Sequence, residues 1–189
     1  MDGVRQWRAY SLTHGPRRDG RISITVKAVP DGVFSTYATT GLRPGDEVEV
    51  LDPAGTFTTA FDPQRTRHYG MIAAGSGITP VLSIVKTVLR REPRSRFTLV
   101  YANRQISSIM FREELEDLKN LYLGRFSVLH VLESEAQEID LFTGRIDADK
   151  MTQLFQRWID PRSVDAAFIC GPEPMMLTVA QSLRDHGLR

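Results

Sequence analysis

The chain has 189 residues, 41% of them hydrophobic, and a formal net charge of +1. This is the composition of a globular protein, without an apolar run of membrane-spanning length and without the basic excess of a nucleic-acid-binding protein. The start of the sequence lacks the charged and then apolar pattern of a secretory signal. We therefore expect a cytoplasmic protein that binds neither a membrane nor a nucleic acid.

The sequence contains a single cysteine, Cys170. One cysteine excludes an internal disulfide framework and, by itself, a cysteine-ligated iron–sulfur cluster or a structural zinc site. The four histidines lack the spacing of metal ligands: His14, His68, His130 and His186. We therefore expect no metal site and interpret the histidines as ordinary surface or core residues.

The first third of the chain consists of short β-type runs at residues 8–12, 22–29 and 47–51, separated by turn-forming glycine and proline. A polar, turn-rich stretch follows at residues 62–67, and beyond it strand-like and helix-like patterns alternate. The sequence therefore predicts two domains, a β domain at residues 1–66 and an α/β domain at residues 67–189.

The first candidate site is the sequence Arg8-Ala9-Tyr10-Ser11, which lies in the first β-type run. Successive side chains of a strand point to opposite faces, so Arg8 and Tyr10 lie on one side. There they can offer a guanidinium group and an aromatic ring to one ligand. Taken alone, this run is equally well an ordinary strand with a solvent-facing arginine.

The next candidate segment follows the second β-type run, which contains Val26 and Lys27. Its sequence is Gly32-Val33-Phe34-Ser35. By itself, this pattern indicates a hairpin turn with Ser35 as the cap of a short helix. A ligand-binding role for the segment needs support from the rest of the chain.

The sequence Gly75-Ser76-Gly77-Ile78-Thr79-Pro80 joins an apolar run to an amphipathic one, which predicts a strand, a glycine turn and a helix. The glycines allow a sharp turn and a close approach to a ligand, Thr79 can cap the helix, and Pro80 suits its first turn. Free N–H groups at such a helix start bind anions, most often a dinucleotide pyrophosphate. A structural tight turn is the alternative.

After this turn the pattern predicts strands at residues 71–74, 97–101, 126–131 and 166–169, alternating with helices. Such alternation is typical of a parallel sheet with right-handed crossovers. In an open sheet of this kind, ligands bind beyond the carboxyl ends of the strands, where Gly75, Asn103 and Cys170 fall. The spacing of Met175, Val179 and Leu183 predicts core packing in the last helix.

The order of these motifs resembles that of the ferredoxin–NADP reductase superfamily. The resemblance implies a partial antiparallel flavin-binding β-barrel followed by a Rossmann-like parallel α/β domain that binds NAD(P). It also implies that Arg8 pairs with the flavin pyrophosphate, that Tyr10 packs on the isoalloxazine ring, and that Ser11 forms a hydrogen bond near flavin N5.

The same resemblance assigns further residues to the two cofactors. Val26, Lys27, Val33, Phe34 and Ser35 belong to the segment that binds the flavin phosphates. The turn from Gly75 to Pro80 and the segment Cys170-Gly171-Pro172 bind the pyridine nucleotide, with Thr79 and Cys170 beside the nicotinamide. We therefore expect Ser11, Thr79 and Cys170 to line the path of hydride transfer.

The choice between NADH and NADPH rests on residues after the third strand of the second domain. In the superfamily, a serine and arginines meet the adenosine 2′-phosphate, and the corresponding residues are Ser134, Arg145 and Arg104. These favour NADPH. Glu133 instead suits a ribose hydroxyl, so the sequence leaves both nucleotides open with a slight preference for NADPH.

Within the superfamily, the sequences Tyr101-Ala102-Asn103-Arg104 and Gly144-Arg145-Ile146-Asp147 most resemble the reductases of phenylacetyl-CoA epoxidase and steroid 9α-hydroxylase systems. Such reductases carry FAD and a C-terminal [2Fe-2S] ferredoxin domain and deliver electrons from NAD(P)H to an oxygenase. We expect this chain to begin within the flavin barrel and to end before the ferredoxin domain. Its implied partners are an oxygenase component and a ferredoxin. A dinucleotide-binding module without stable flavin is the alternative function.

Overall fold

The computed structural model of the chain describes residues 7–15 and 19–188. Within these residues the chain forms five α-helices and four β-strands. In chain order, these elements are α1 (Val33–Thr40), β1 (His68–Ala74), α2 (Ile78–Arg91), β2 (Arg96–Asn103), α3 (Arg112–Leu121), β3 (Phe126–Leu132), α4 (Ala148–Arg157), β4 (Ala166–Cys170) and α5 (Glu173–Asp185).

The four strands form one parallel sheet in the order β3-β2-β1-β4. β1 lies inside the sheet and pairs with β2 on one side and with β4 on the other, where Ala73 is opposite Cys170. The predicted parallel sheet is confirmed. The strand order reverses between β1 and β4, and ligands of open α/β sheets bind in the crevice at such a point.

Helices cover both faces of this sheet, because neighbouring residues of a buried strand point to opposite sides. Met71 belongs to one hydrophobic cluster, together with α2 and α3, and Ile72 belongs to another, together with α4 and α5. The amphipathic run predicted after the glycine turn forms α2, and its apolar face is buried, with residues no more than 6% exposed: Val81, Ile84, Val85, Val88 and Leu89. The last helix buries Val179 and Leu183, which confirms its predicted core face.

The first part of the chain differs from its prediction. The β-type runs at residues 22–29 and 47–51 form no strands, and the run at residues 8–12 contributes only an isolated antiparallel bridge between Leu12 and Ile24. A strand needs a hydrogen-bonded neighbour as well as an alternating sequence. Apolar side chains of these runs therefore remain at the surface, as Val50 does with 66% exposure.

Aromatic contacts hold the segment that leads into the sheet. The Phe57 ring meets the Phe168 ring of β4 edge to face, with centroids 5.4 Å apart. Phe61 packs against the core cluster on the α2 side, and the Arg91 guanidinium lies 5.4 Å from the centre of its ring. The segment is therefore fixed to the sheet before β1 begins.

A buried carboxylate anchors the same segment at the end of α2. Glu92 is fully buried and accepts hydrogen bonds from the Tyr69 hydroxyl at 3.1 Å, the Ser95 hydroxyl at 2.8 Å and the Asp62 backbone N–H at 3.1 Å. The Arg65 guanidinium lies 3.7 Å away and supplies a compensating charge. Buried charges need such partners, so Glu92 holds the segment and the first strand together.

None of the helices in the described part of the chain combines the length and the hydrophobicity that crossing a bilayer requires.

Candidate functional site

The glycine turn lies at the carboxyl end of β1, as the sequence predicts. Residues Gly75–Gly77 form one turn of 3₁₀-helix, in which Gly75 has a φ of +51° that favours glycine. The turn and the start of α2 lie at the edge of the sheet where the strands end, and the first N–H groups of a helix have no acceptor within the helix. This is the arrangement that binds the phosphates of a dinucleotide.

Thr79 does not cap α2, so that part of the prediction is wrong. The 3₁₀ turn runs directly into the helix, which begins at Ile78 with Gly77 in the N-cap position. Thr79 therefore lies in the first turn, where its hydroxyl donates to the Ser76 carbonyl at 3.1 Å. Pro80 also lies in the first turn, as predicted, where its missing N–H leaves no gap in the helix.

The glycine turn touches the end of β4 at Gly77. A Cβ atom on Gly77 would overlap the carbonyl group of Cys170, so only glycine fits here. Burial raises the pKa of the Cys170 thiol, which therefore stays uncharged at neutral pH. Gly77 and Cys170 thus bring the glycine turn and a small neutral side chain together at the β1–β4 crevice.

Tyr101 holds the glycine turn by a hydrogen bond, a role that the sequence did not reveal. Its buried hydroxyl, near the end of β2, donates to the Gly75 carbonyl at 3.0 Å. Burial raises the pKa of Tyr101 to about 12, so the phenol keeps its proton and remains a donor. The signal in the sequence was a tyrosine, whose ring carries a hydroxyl, near the end of an otherwise apolar strand.

Asn103 ends β2 beside this turn, and its side chain is 8% exposed. The amide lies beside the Tyr101 hydroxyl, and its buried nitrogen Nδ2 has no partner among the described residues that meets hydrogen-bond geometry. A buried polar group without a partner is costly, and a bound ligand that accepts a hydrogen bond removes that cost. The predicted binding residue Asn103 therefore offers a donor at the ligand edge of the sheet.

The residues predicted to select the nucleotide also lie at this edge. Backbone hydrogen bonds continue past the strands, from Glu133 N–H to the Asn103 carbonyl at 2.9 Å and from Ser134 N–H to the Arg104 carbonyl at 2.8 Å. Arg145 meets Glu133 there, with 2.6 Å between its Nε and the carboxylate Oε1. The arginine expected to bind a phosphate is thus paired with an acid.

The two predicted flavin segments come together through their aromatic residues. The centroids of the Tyr10 and Phe34 rings are 5.6 Å apart, with the planes tilted by 43°. Arg8 and Ser11 flank Tyr10 and are exposed to solvent. Tyr10 is only partly exposed, and its ring packs against Phe34.

Ser35 is not the cap of α1, contrary to the sequence-based expectation. Gly32 occupies the N-cap position, and Ser35 lies buried in the first turn. Its hydroxyl accepts from Val29 N–H at 3.2 Å and donates to the Gly32 carbonyl at 3.2 Å. Ser35 therefore fixes the loop that enters α1, after the run that contains Val26 and Lys27.

The predicted nucleotide-binding residues Gly171 and Pro172 lie between β4 and α5. Pro172 is the N-cap of α5, and Gly171 packs against Ala74 at the end of β1.

His68 lies at the opposite, amino end of the sheet, where its ring nitrogens are 2.9 Å from the Ser163 and Thr98 hydroxyls. Burial lowers the pKa of His68 and favours its neutral form. Across residues 7–15 and 19–188, no three His, Cys, Asp or Glu side chains are grouped to hold a metal ion.

Comparison with known families identifies both halves of this arrangement. The family model of the oxidoreductase NAD-binding domain matches residues 71–181, and that of the oxidoreductase FAD-binding domain matches residues 1–59. The chain belongs to the ferredoxin reductase family of FAD- and NAD-binding oxidoreductases. The first match includes the glycine turn, Asn103 and Cys170, and the second includes Arg8 and Tyr10.

Curated relatives and solved structures agree with this family. One of the subunits of 1,2-phenylacetyl-CoA epoxidase from Escherichia coli is 43% identical over all of this chain and 52% of its own length. The ferredoxin reductase component of 3-ketosteroid-9-alpha-monooxygenase from Rhodococcus rhodochrous is 38% identical over 96% of this chain and 47% of its own length. The chain thus spans about half the length of these relatives.

Among solved structures, the FAD/NAD-binding domain of nitric oxide dioxygenase from Vibrio cholerae superimposes with a TM-score of 0.82. It is 26% identical, and the match covers 98% of this chain and 74% of that structure. This likeness extends over the first part of the chain as well as the parallel sheet. The predicted fold class, a partly covered flavin barrel followed by a Rossmann-like domain, is confirmed.

Proposed function

We propose that this chain binds FAD through a domain at residues 1–66 and a nicotinamide dinucleotide through a domain at residues 67–189. When bound, the flavin accepts a hydride at N5 from nicotinamide C4 and passes its electrons on singly to an acceptor. The observation that carries the proposal is the close contact of the glycine turn with Cys170 at the β1–β4 crevice, with Asn103 at the same carboxyl edge of the sheet, at the end of β2.

In this proposal the protein groups position the two rings and exclude water from between them. Arg8 holds the flavin pyrophosphate by charge-assisted hydrogen bonds, and Tyr10 packs on the flavin ring. Ser11 donates a hydrogen bond near N5. Thr79 and the neutral Cys170 thiol line the nicotinamide side.

Two further groups of residues bind the phosphates in the proposed arrangement. On the flavin side they are Val26, Lys27, Val33, Phe34 and Ser35. On the nucleotide side, the turn from Gly75 to Pro80 binds the pyrophosphate, and Gly171 and Pro172 shape the opposite wall. The turn lies at the edge where the strands end and leads into the start of a helix, a position that suits this role.

The Glu133–Arg145 ion pair favours NADH as the nucleotide. A 2′-phosphate beside Glu133 would meet a carboxylate, whereas the 2′-hydroxyl of NADH can donate a hydrogen bond to it. The Arg145 guanidinium is already paired with the Glu133 carboxylate, at 2.6 Å. The preference for NADPH that Arg104 and Arg145 suggested in the sequence is therefore replaced by a proposed preference for NADH.

We also propose that the electrons go to the oxygenase component of a multicomponent system by way of a ferredoxin. The names of the two bacterial relatives, one belonging to an epoxidase and one a monooxygenase ferredoxin reductase component, support this partner class. The one cysteine of the sequence cannot ligate a [2Fe-2S] cluster. The cluster is therefore expected in a ferredoxin or ferredoxin domain that receives the electrons.

Titration with FAD and with NADH tests whether the two cofactors bind to different halves of the chain. Arg8→Ala should weaken FAD binding by about 1.5 to 3 kcal/mol, because it removes a charge-assisted contact, and should leave NADH binding nearly unchanged. Arg21→Ala removes an exposed arginine of the same half and serves as the control. Equal losses for FAD and NADH, or binding of NADH by a chain that takes up no FAD, would contradict the proposal.

A further inference from the structure

Lys86 of α2 points towards the first part of the chain rather than into solvent. Its side chain is only 14% exposed, which is unusual for lysine. The ammonium Nζ donates to the Thr13 carbonyl at 3.4 Å and to His14 Nε2 at 3.1 Å, and it forms an ion pair with Glu114 of α3. All three donor positions of the ammonium group are thus occupied.

The contact with His14 continues into a chain of hydrogen bonds. Because Lys86 can only donate, His14 Nε2 accepts, and the proton of the neutral ring lies on Nδ1. Nδ1–H then donates to the Thr13 hydroxyl at 3.1 Å, which in turn donates to the Ser23 carbonyl at 3.2 Å. The network therefore connects α2 with both segments that meet at the Leu12–Ile24 bridge.

A second contact brings the same loop against α2 one residue further along the helix. A Cβ atom on Gly15 would overlap the Thr87 hydroxyl, so the backbone lies directly on the helix surface. Thr13 is 2% exposed, one of the few buried residues of the first part of the chain. The loop of residues 13–15 is therefore docked on α2 by packing as well as by hydrogen bonds.

We propose that Lys86 is a positioning residue for hydride transfer, an inference that rests on the proposed function. The loop it holds follows directly after Tyr10 and Ser11, the residues assigned to the flavin ring. The helix that carries it begins at the glycine turn and holds Thr79 in its first turn. Two helical turns, about 10 Å, separate Thr79 from Lys86, so one rigid helix fixes both sides of the reaction.

Lys86 does not touch the reacting atoms in this arrangement. It acts through Thr13 and His14, whose position determines where Ser11 and the flavin ring lie. Hydride transfer is sensitive to such placement, since a displacement of about 1 Å can slow an enzymatic step roughly a hundredfold. We call the hydrogen bonds from Lys86 to Thr13 and His14 the tether. Loss of the tether should therefore slow the chemical step more than it weakens the binding of either cofactor.

The test uses Lys86→Met, which keeps the length of the aliphatic stem and removes the ammonium group. In the chain without cofactors, amide hydrogen exchange at Thr13, whose N–H donates to the Ser23 carbonyl at 2.9 Å, should become roughly tenfold faster. In the FAD-loaded chain, the rate of flavin reduction at saturating NADH should fall roughly tenfold, with the Kd for NADH unchanged.

Two other variants separate positioning from general stability. Glu114→Gln removes the ion pair between α2 and α3 but keeps the bonds from Lys86 to the loop, so exchange at Thr13 should change little. Lys119→Met removes an exposed ion pair with Glu116 on α3 and should change neither readout. Circular dichroism establishes that each variant is folded before it is compared.

Each outcome decides one part of the inference. Unchanged exchange in Lys86→Met would show that the tether does not hold the loop, and faster exchange with an unchanged reduction rate would reduce Lys86 to a structural role. A parent chain that binds FAD but is not reduced by NADH would overturn the proposed function and the positioning role with it. In that case the exchange data would still show whether the tether exists.

Discussion

The two parts of the molecule are built differently. Every buried apolar side chain among the described residues lies at Tyr69 or beyond, in the parallel sheet and its helices. Within residues 7–15 and 19–66, the buried side chains are the polar Thr13 and Ser35. The second part thus has its own hydrophobic core, whereas the described residues of the first part obtain their order from short-range hydrogen bonds and from contacts with the second.

The difference shows where the geometry of the site is determined. Gly77, Cys170 and Asn103 are held by a rigid sheet, and their positions follow from the strand order. Tyr10 and Ser11 depend on the docking of their segment on α2, through the contacts of Lys86 with Thr13 and His14. The nucleotide side should therefore tolerate changes elsewhere in the chain better than the flavin side.

Shortening one apolar side chain in each part tests whether only the second part has a hydrophobic core. Leu82→Ala, at a fully buried position of α2, should lower the free energy of unfolding by about 3 kcal/mol, because it removes contacts and leaves a cavity. Val50→Ala, at a position that is 66% exposed, should change it by less than about 0.5 kcal/mol. Chemical denaturation measures both. Similar losses would mean that the first part also has a core.

Glu92 connects the two parts, so its removal tests how strongly the segment before β1 is held to the sheet. Glu92→Ala leaves the Tyr69 hydroxyl, the Ser95 hydroxyl and the Asp62 N–H without their acceptor, and should cost about 2 to 3 kcal/mol. Trypsin should then cleave more readily after Arg65, in the released segment. Arg65→Ala, which removes the ion pair with Glu92 at 3.7 Å and a hydrogen bond to the Ala60 carbonyl, should also lower the free energy of unfolding, because it leaves the buried carboxylate without a compensating charge. A stable Glu92→Ala chain would contradict the anchor.

Cofactor selection should depend on the second part alone. Glu133→Gln removes the carboxylate that faces the proposed ribose site and frees Arg145 for a phosphate, so the ratio of NADPH to NADH affinity should rise roughly tenfold. FAD affinity should stay the same. Glu138→Gln, at an exposed neighbouring position, is the matched control. An unchanged ratio would show that the adenosine ribose does not bind beside Glu133.

The second part was largely predictable from sequence because its signals are local. Each of its strands was expected within three residues of its observed ends; β3 was predicted at residues 126–131 and is Phe126–Leu132. Apolar periodicity also identified the buried face of α2. The strands expected at residues 22–29 and 47–51 did not form, since alternation says nothing about whether a hydrogen-bonded neighbour is present.

The candidate site was predictable to a similar extent. Glycine spacing identified the turn at Gly75 and strand ends identified Asn103 and Cys170, but the capping role of Thr79 was wrong because a 3₁₀ turn precedes the helix. The hydrogen bond from Tyr101 to the turn and the contact of Lys86 with His14 join residues far apart in the chain. No local pattern encodes such contacts, so only the structure reveals them.

Rapid mixing of the FAD-loaded chain with reduced nucleotide, without oxygen, tests the proposed hydride transfer. One equivalent of NADH should bleach the flavin absorption band in a single turnover, and NADPH should do so more slowly. Deuterium on the transferred position of nicotinamide C4 should slow the bleaching. A flavin band that neither nucleotide changes, in a chain that binds both FAD and NADH, would contradict the proposed hydride transfer.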